Sequence, residues 1–233
     1  MLRIIKAAVS LVALVGVYQA AAGANGVAVP PSPSPSASSP SRTLTPEEVA
    51  VEVYNSGISH RDRALKADTQ AMKDKKDSDR LKNEKKAREE YDKALKDFAR
   101  AAKLNPSMPQ AYNGMGFAYR KLGDYAKALE NYDRALQLAP NFPDAIEYRG
   151  EAYLALNRLD EAKQAYLTLF AMDRKQADSL MAAMKEYVAK KKADPSGVDT
   201  AALSAFETWI GERAGVAEET RLMAVYAHSG SWR

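Results

Sequence analysis

Ala-Tyr-Asn-Gly-Met-Gly-Phe-Ala-Tyr at 111–119 is answered by Ala-Ile-Glu-Tyr-Arg-Gly-Glu-Ala-Tyr at 145–153. The two stretches stand 34 residues apart, and the proline pairs before them, Pro106/Pro109 and Pro140/Pro143, keep the same step. A period of about 34 residues with two helical stripes per period marks stacked helix-turn-helix units. In Pro109–Gly123, residues Tyr112, Met115, Gly116 and Tyr119 share one helical face, and Leu122-Gly123-Asp124 breaks the chain. In Tyr125–Leu138 the facing stripe is Ala128, Leu129, Tyr132, Ala135 and Leu136, ended by Ala139-Pro140-Asn141. The small Gly116, Ala128 and Ala135 let the two backbones approach, while Tyr119 and Tyr132 fill the space beside them. Runs of β-branched residues alternating with polar ones are missing, so the expected class is all-α.

These residues resemble the tetratricopeptide repeat. Pro109–Phe142 carries the pattern through Tyr112, Met115-Gly116, Tyr119, Ala128, Tyr132, Ala135 and Pro140. Pro143–Gln176 carries it through Ile146, Gly150, Tyr153, Ala162 and Tyr166, and departs at Arg149, Leu169 and Arg174. There a hydrophobe, a small residue and a proline are usual. The resemblance implies a helical solenoid that binds protein partners and does no chemistry of its own.

A further unit upstream is split. Its second helix, Ala87–Leu104, fits through Ala94, Phe98, Ala101 and Pro106, and its first is placed at Val49–Asp62, with Gly57 in the position of Gly116. That leaves about 25 extra residues, roughly 63–87, charged and with only Leu65, Met72 and Leu81 as large hydrophobes. Acid-first pairs such as Glu84/Arg88, Glu89/Lys93 and Asp92/Lys96 favour helix. If both helices continue, a hairpin projects about 18 Å beyond the stack. Its turn falls near Asp74–Asp79. A solvated arm and a docking arm are both open readings.

The expected solenoid runs over 46–192, with units at about 49–108, 109–142 and 143–176 and a half-unit at 177–192. Thr45 caps its start, Pro46 takes the first helical position, and Glu47 and Glu48 sit in the first turn. The half-unit carries Leu180, Ala183, Met184 and Tyr187. After Asp194-Pro195-Ser196-Gly197, residues 193–233 are read as a helical cap. Thr200–Arg213 holds Ala202, Leu203, Phe206, Trp209 and Ile210 on one side behind an Asp199 cap, and Val216–Ala227 is a short last helix. An open solenoid end exposes an apolar face, which such helices cover. Trp209 as a partner surface is the alternative.

Before the solenoid, Met1–Ala24 reads as a secretory leader. Arg3 and Lys6 make the positive region, Ala7–Tyr18 the apolar one, and Ala22-Gly23-Ala24 the cleavage site. An uncleaved anchor is the competing reading. Residues 25–45 form a Pro/Ser linker, the stretch Val29–Pro46 holding six of the eleven prolines. Cysteine is absent, which excludes disulfides, thiolate metal sites and a thiol-linked lipid. The formal charge of +4 falls to +2 without Arg3 and Lys6, so no nucleic-acid partner is expected. Nor is any membrane span expected after leader cleavage.

No catalytic residues, cofactor or metal are expected. The two histidines, His60 and His228, are far apart in sequence, and His60 falls where Tyr119 and Tyr153 stand in later units. A satisfied structural role suits it better than catalysis. Phosphate loops, paired-histidine metal motifs and nucleophile turns are missing.

Binding is the positive expectation. In a right-handed stack the first helices line the concave side. Their non-core positions are Tyr54, Ile58 and Arg61, then Asn113, Phe117 and Arg120, then Glu147, Glu151 and Leu154, then Asp178, Met181 and Lys185. Phe117 and Ile58 are read as exposed contact residues, with burial of Phe117 by terminal helices that fold back as the alternative, and Glu147 with Glu151 as a negative patch for a basic partner group. Some tetratricopeptide proteins clamp a terminal carboxylate with lysine and asparagine; Phe117 and Glu151 stand where that pattern needs them, so that function is not carried over. The expectation is therefore a periplasmic or envelope-associated scaffold that binds a protein or peptide in this groove. A self-assembling protein, with homo-oligomers through the hairpin or Trp209, is one alternative. A non-catalytic subunit of an envelope enzyme is the other.

Overall fold

The computed structural model describes residues 43–228, with side chains up to Val225. The chain divides between Arg42 and Thr43, and the second unit holds every described residue. The expected leader and most of the linker lie outside them. Eight helices follow in order: α1 (Pro46–Lys73), α2 (Asp77–Leu104), α3 (Pro109–Leu122), α4 (Tyr125–Leu138), α5 (Pro143–Ala155), α6 (Leu159–Met172), α7 (Arg174–Ala193) and α8 (Thr200–His228). Among the described residues no other regular element occurs.

The helices begin and end where local chemistry says they should. Thr45 accepts from the Glu48 backbone N–H at 3.2 Å while Glu48 accepts from the Thr45 backbone N–H at 2.9 Å. This reciprocal box, with Pro46 behind it, fixes the start of α1. Asp199 accepts from the Ala201 and Ala202 backbone N–H groups at 2.7 and 3.1 Å and starts α8. The turn closing α3 needs a left-handed residue, supplied by Gly123 at φ 89°; one repeat later Asn157 takes the same region at φ 57°.

Packing repeats with the sequence. Phe98, Tyr132 and Tyr166, one period apart, are fully buried, as are Ala94, Ala128 and Ala162. Each ring needs a gap in the opposing backbone. A Cβ on Gly116 would sit 2.6 Å from Tyr132, and one on Gly57 would sit 2.7 Å from Phe98, so Gly57 is the structural counterpart of Gly116. The departures from the pattern are absorbed locally. Leu169 is buried, Arg149 reaches Asp133 at 2.7 Å, and the Arg174 guanidinium stacks 3.3 Å over Phe170.

The backbones of successive first helices touch: α1 with α3, α3 with α5, α5 with α7. Those of α2, α4 and α6 make no comparable contact with one another, so the stack curves with α1, α3, α5 and α7 on its inner side.

The first pair is a long hairpin. Both helices have 28 residues against 14 in α3 and α4, and they turn at 74–76, inside the expected window. The excess carries the hairpin about 15–20 Å past its neighbours. Its arms close on Ala64, Ala67, Ala71 and Ala87, and Asp74 ties them at the turn by accepting from Gln70 and Asn83 at 2.8 and 2.7 Å. Lower down, buried Glu90 meets Lys93 at 2.6 Å and both Arg63 and the His60 ring at 2.8 Å. The Lys93 and Arg63 hydrogen bonds, with His60, pull its carboxyl down to about 2. His60 is thus held by a structural contact.

At the other end one expectation changes, and for Trp209 the structure favours the cap over the alternative of a partner surface. Residues 200–228 form one continuous helix, because neither Gly211 nor Gly215 adopts a positive φ and no proline intervenes. Trp209 is no free surface. Its ring packs 5.6 Å from Tyr166 and 6.2 Å from Phe206, covering the last repeat together with Leu203 and Ile210.

Candidate functional site

The inner side of the stack is built from α1, α3, α5 and α7, and the structure brings the expected residues onto it at different depths. Tyr54, Ile58 and Arg61 on α1, Asn113 and Arg120 on α3, and Glu151 on α5 are half-buried, while Lys185 on α7 is exposed. Leu154 and Met181 are buried in the core and serve as floor.

Phe117 corrects the expectation of an exposed contact. It is 7% exposed, in a cluster with Ala64, Ala67, Ala87 and Tyr91, and its ring lies 5.2 Å from Tyr148 and 6.2 Å from Tyr91. The extended arms of α1 and α2 supply the cover. A 14-residue first pair would end short of this level, which is why the repeat pattern alone suggests exposure.

The acidic patch is corrected as well. Glu151 is ion-paired with Arg120, whose guanidinium lies 5.3 Å from the Phe117 ring centre and 5.2 Å from that of Tyr148. Its Nε also reaches the Tyr132 hydroxyl at 3.4 Å. Glu147 is 7% exposed. Burial, helped by Glu151 and Asp144, pushes its carboxyl from the ordinary 4.5 up to about 7. The two glutamates therefore do not present a doubly negative surface.

The raised value has a sign. Between about pH 4.5 and 7 the folded chain keeps a proton on Glu147 that the unfolded chain has released. This contribution to stability is complete below the unfolded value and is lost as pH rises through about 7. Glu147→Gln is expected to be more stable than wild type at pH 8 by about 2–3 kcal/mol, and nearly equal to it at pH 4.5. Urea unfolding at the two pH values reads this directly. A constant gap between the two proteins would contradict it.

Two inner-face residues escape the sequence reading, Tyr148 and Asp144. Tyr148 stands one period after Gly114, whose small size admits Phe98. A tyrosine in that register cannot repeat the packing, and its ring turns toward Phe117 and Arg120 instead. That glycine-to-tyrosine exchange was the available signal. Asp144 accepts from the Gln176 amide and acts on the Tyr54, Glu147 and Tyr148 side chains through charge. The inner face also holds a buried Asn113 Oδ1 with no hydrogen-bond partner among the described residues. Among those residues no group of three or more His, Asp or Glu side chains is placed to hold a metal ion.

Family profiles agree with this geometry. Tetratricopeptide repeat profiles match residues 109–142 and 149–176, and a further profile of the same repeat matches 83–123. The chain carries tetratricopeptide repeats over these residues. Similar solved structures include the TPR domain of Sgt2 from Aspergillus fumigatus, 19% identical, with 82% of this chain and 89% of that one covered at a TM-score of 0.39. The Arabidopsis OM64 TPR domain is 18% identical, with coverages of 58% and 96% and a TM-score of 0.40. The second TPR domain of human RPAP3, in complex with an HSP70 peptide, is 20% identical, with coverages of 55% and 98% and a TM-score of 0.39. No curated protein sequence matches the chain.

Proposed function

We propose that the chain is an exported, envelope-associated scaffold that binds a partner polypeptide along the inner face of α1, α3, α5 and α7. One observation carries the reading: four first helices lie side by side and leave Tyr54, Ile58, Arg61, Asn113 and Tyr148 half-buried, not sealed by the chain itself. Half-buried aromatic and arginine side chains are the residues that most often dominate protein interfaces. Tetratricopeptide repeats as a class are protein-interaction modules, which fits the same face. Export rests on the leader-like segment with Arg3, Lys6 and the apolar Ala7–Tyr18.

The binding surface is narrower than the sequence suggests, because Phe117 and Glu147 are floor and Tyr54, Ile58 and Arg61 form the accessible lip. Peptides selected from a display library on the wild-type chain are expected to lose about ten-fold or more in affinity for Tyr54→Ala/Arg61→Ala. Isothermal titration compares the two. Equal affinities would move the binding surface elsewhere.

A further inference from the structure

The tip of the long hairpin combines free positive charge with bare apolar side chains. Met72, one residue from the end of α1, is 84% exposed, and Leu81, in the second turn of α2, is 61% exposed. Residues 72–86 hold seven lysines and arginines against four acids. Three of those acids are engaged locally. Asp74 is bound by Gln70 and Asn83, while Asp77 and Glu84 lie 2.7 and 3.8 Å from Arg80. Among the described residues Lys73, Lys75, Lys76, Lys82 and Lys86 are in no ion pair.

A merely solvated arm would gain nothing from Met72 and Leu81 at its most exposed level. The occupant that suits them must accept apolar side chains and cations at the same depth. We infer that the hairpin tip docks on an anionic phospholipid surface, with Met72 and Leu81 entering the interface and the surrounding lysines facing lipid phosphates.

The shape favours a bilayer over the other anionic surfaces. The tip is convex and only about fifteen residues long, too small for a stable protein interface of about 800 Å² per partner. A fluid interface wraps a convex tip without needing a complementary groove. Single-stranded nucleic acid is recognised by stacking on aromatic rings, and residues 63–90 contain no aromatic residue. Attachment of this kind needs no membrane span. Among the described residues no helix is long and apolar enough to cross a membrane.

The absence of cysteine allows one thiol to be placed at will. The full chain carrying Met72→Cys, labelled with an environment-sensitive fluorophore, is titrated with vesicles of phosphatidylglycerol and phosphatidylcholine at 30:70, and with pure phosphatidylcholine. Gln164→Cys on exposed α6 serves as the control label, so any attachment through residues 1–24 leaves the reading intact. The expected result is a blue shift at position 72 with the anionic vesicles only, and none at 164. Adding Lys73→Ala/Lys75→Ala/Lys76→Ala is expected to raise the lipid concentration at half-response about a hundred-fold, at roughly five-fold per basic residue. A label on Leu81→Cys is expected to respond as position 72 does. No shift at 72, an equal shift with pure phosphatidylcholine, a silent Leu81→Cys, or indifference to the three lysines would each overturn the inference. All these positions are solvent-exposed, and unchanged helical circular dichroism confirms that every variant is folded.

Discussion

Phe98→Ala is expected to destabilise the folded unit by about 3–5 kcal/mol, among the largest single-residue effects in this chain. The ring is fully buried between two backbones. An added Cβ on Gly57 of α1 would stand 2.7 Å from it, and one on Gly114 of α3 would stand 2.8 Å from it. Tyr54 lies 5.5 Å away, ring centre to ring centre. Removing the ring leaves a slot that neither helix can close without moving along the other. Because a stack holds each pair mainly through its neighbours, the loss concentrates at α1, α2 and α3. Hydrogen exchange should show those helices opening first while α5–α7 keep their protection. Filling the slot from the other side also fails. Gly57→Ala is expected to cost about 1–3 kcal/mol, since the ring, pinned by Gly114, has nowhere to retreat. Paired with Phe98→Leu it should cost less than the sum of the two. Strict additivity, or protection lost evenly along the chain, would show that the ring is not the clasp between these helices.

Arg120→Met should cost about 2–4 kcal/mol. The side chain is largely buried on Phe117 and Tyr148, and its loss strands Glu151 beside Glu147. Breaking a fully buried pair costs about 3–5 kcal/mol, and the lower range applies because Glu151 keeps some access to water. Methionine keeps only the apolar packing of the stem, so the loss reads the guanidinium: its ion pair, its place over the two rings and its Tyr132 hydrogen bond. Arg120→Met/Glu151→Met should recover most of it, as replacing both members of a buried pair with apolar groups often does. Denaturant midpoints of the four proteins in the cycle measure the coupling. If the double variant is as unstable as the single one, the pair is not what Arg120 contributes.

The two predictions fall on either side of the line where sequence and structure part: Phe98 and Gly57 keep the repeat, while Arg120 lies off its packing stripe. Helices and turns were legible because they depend on near neighbours. Pro109 and Pro143 fix φ at helix starts, Gly123 supplies the left-handed turn, and Thr45 with Glu48 closes a local box. The equivalence of Gly57 with Gly116 was also readable across 25 extra residues, because each ring requires a gap in the backbone opposite. The surface was less legible. Phe117, Glu147 and Arg120 occupy positions off the packing stripe, and a periodicity argument assigns such positions to solvent.

Taken alone, the sequence determined an all-α stack of paired helices, its period, its caps and the length of its first hairpin, all consequences of contacts a few residues or one repeat apart. Tertiary structure decided which inner-face residues remain open to a partner. The lengthened α1 and α2 reach over Phe117, and Tyr148, unable to fill the place of Gly114, turns onto Arg120. Burial of this kind depends on how far a neighbouring element extends in space, which the residue pattern along α3 does not encode.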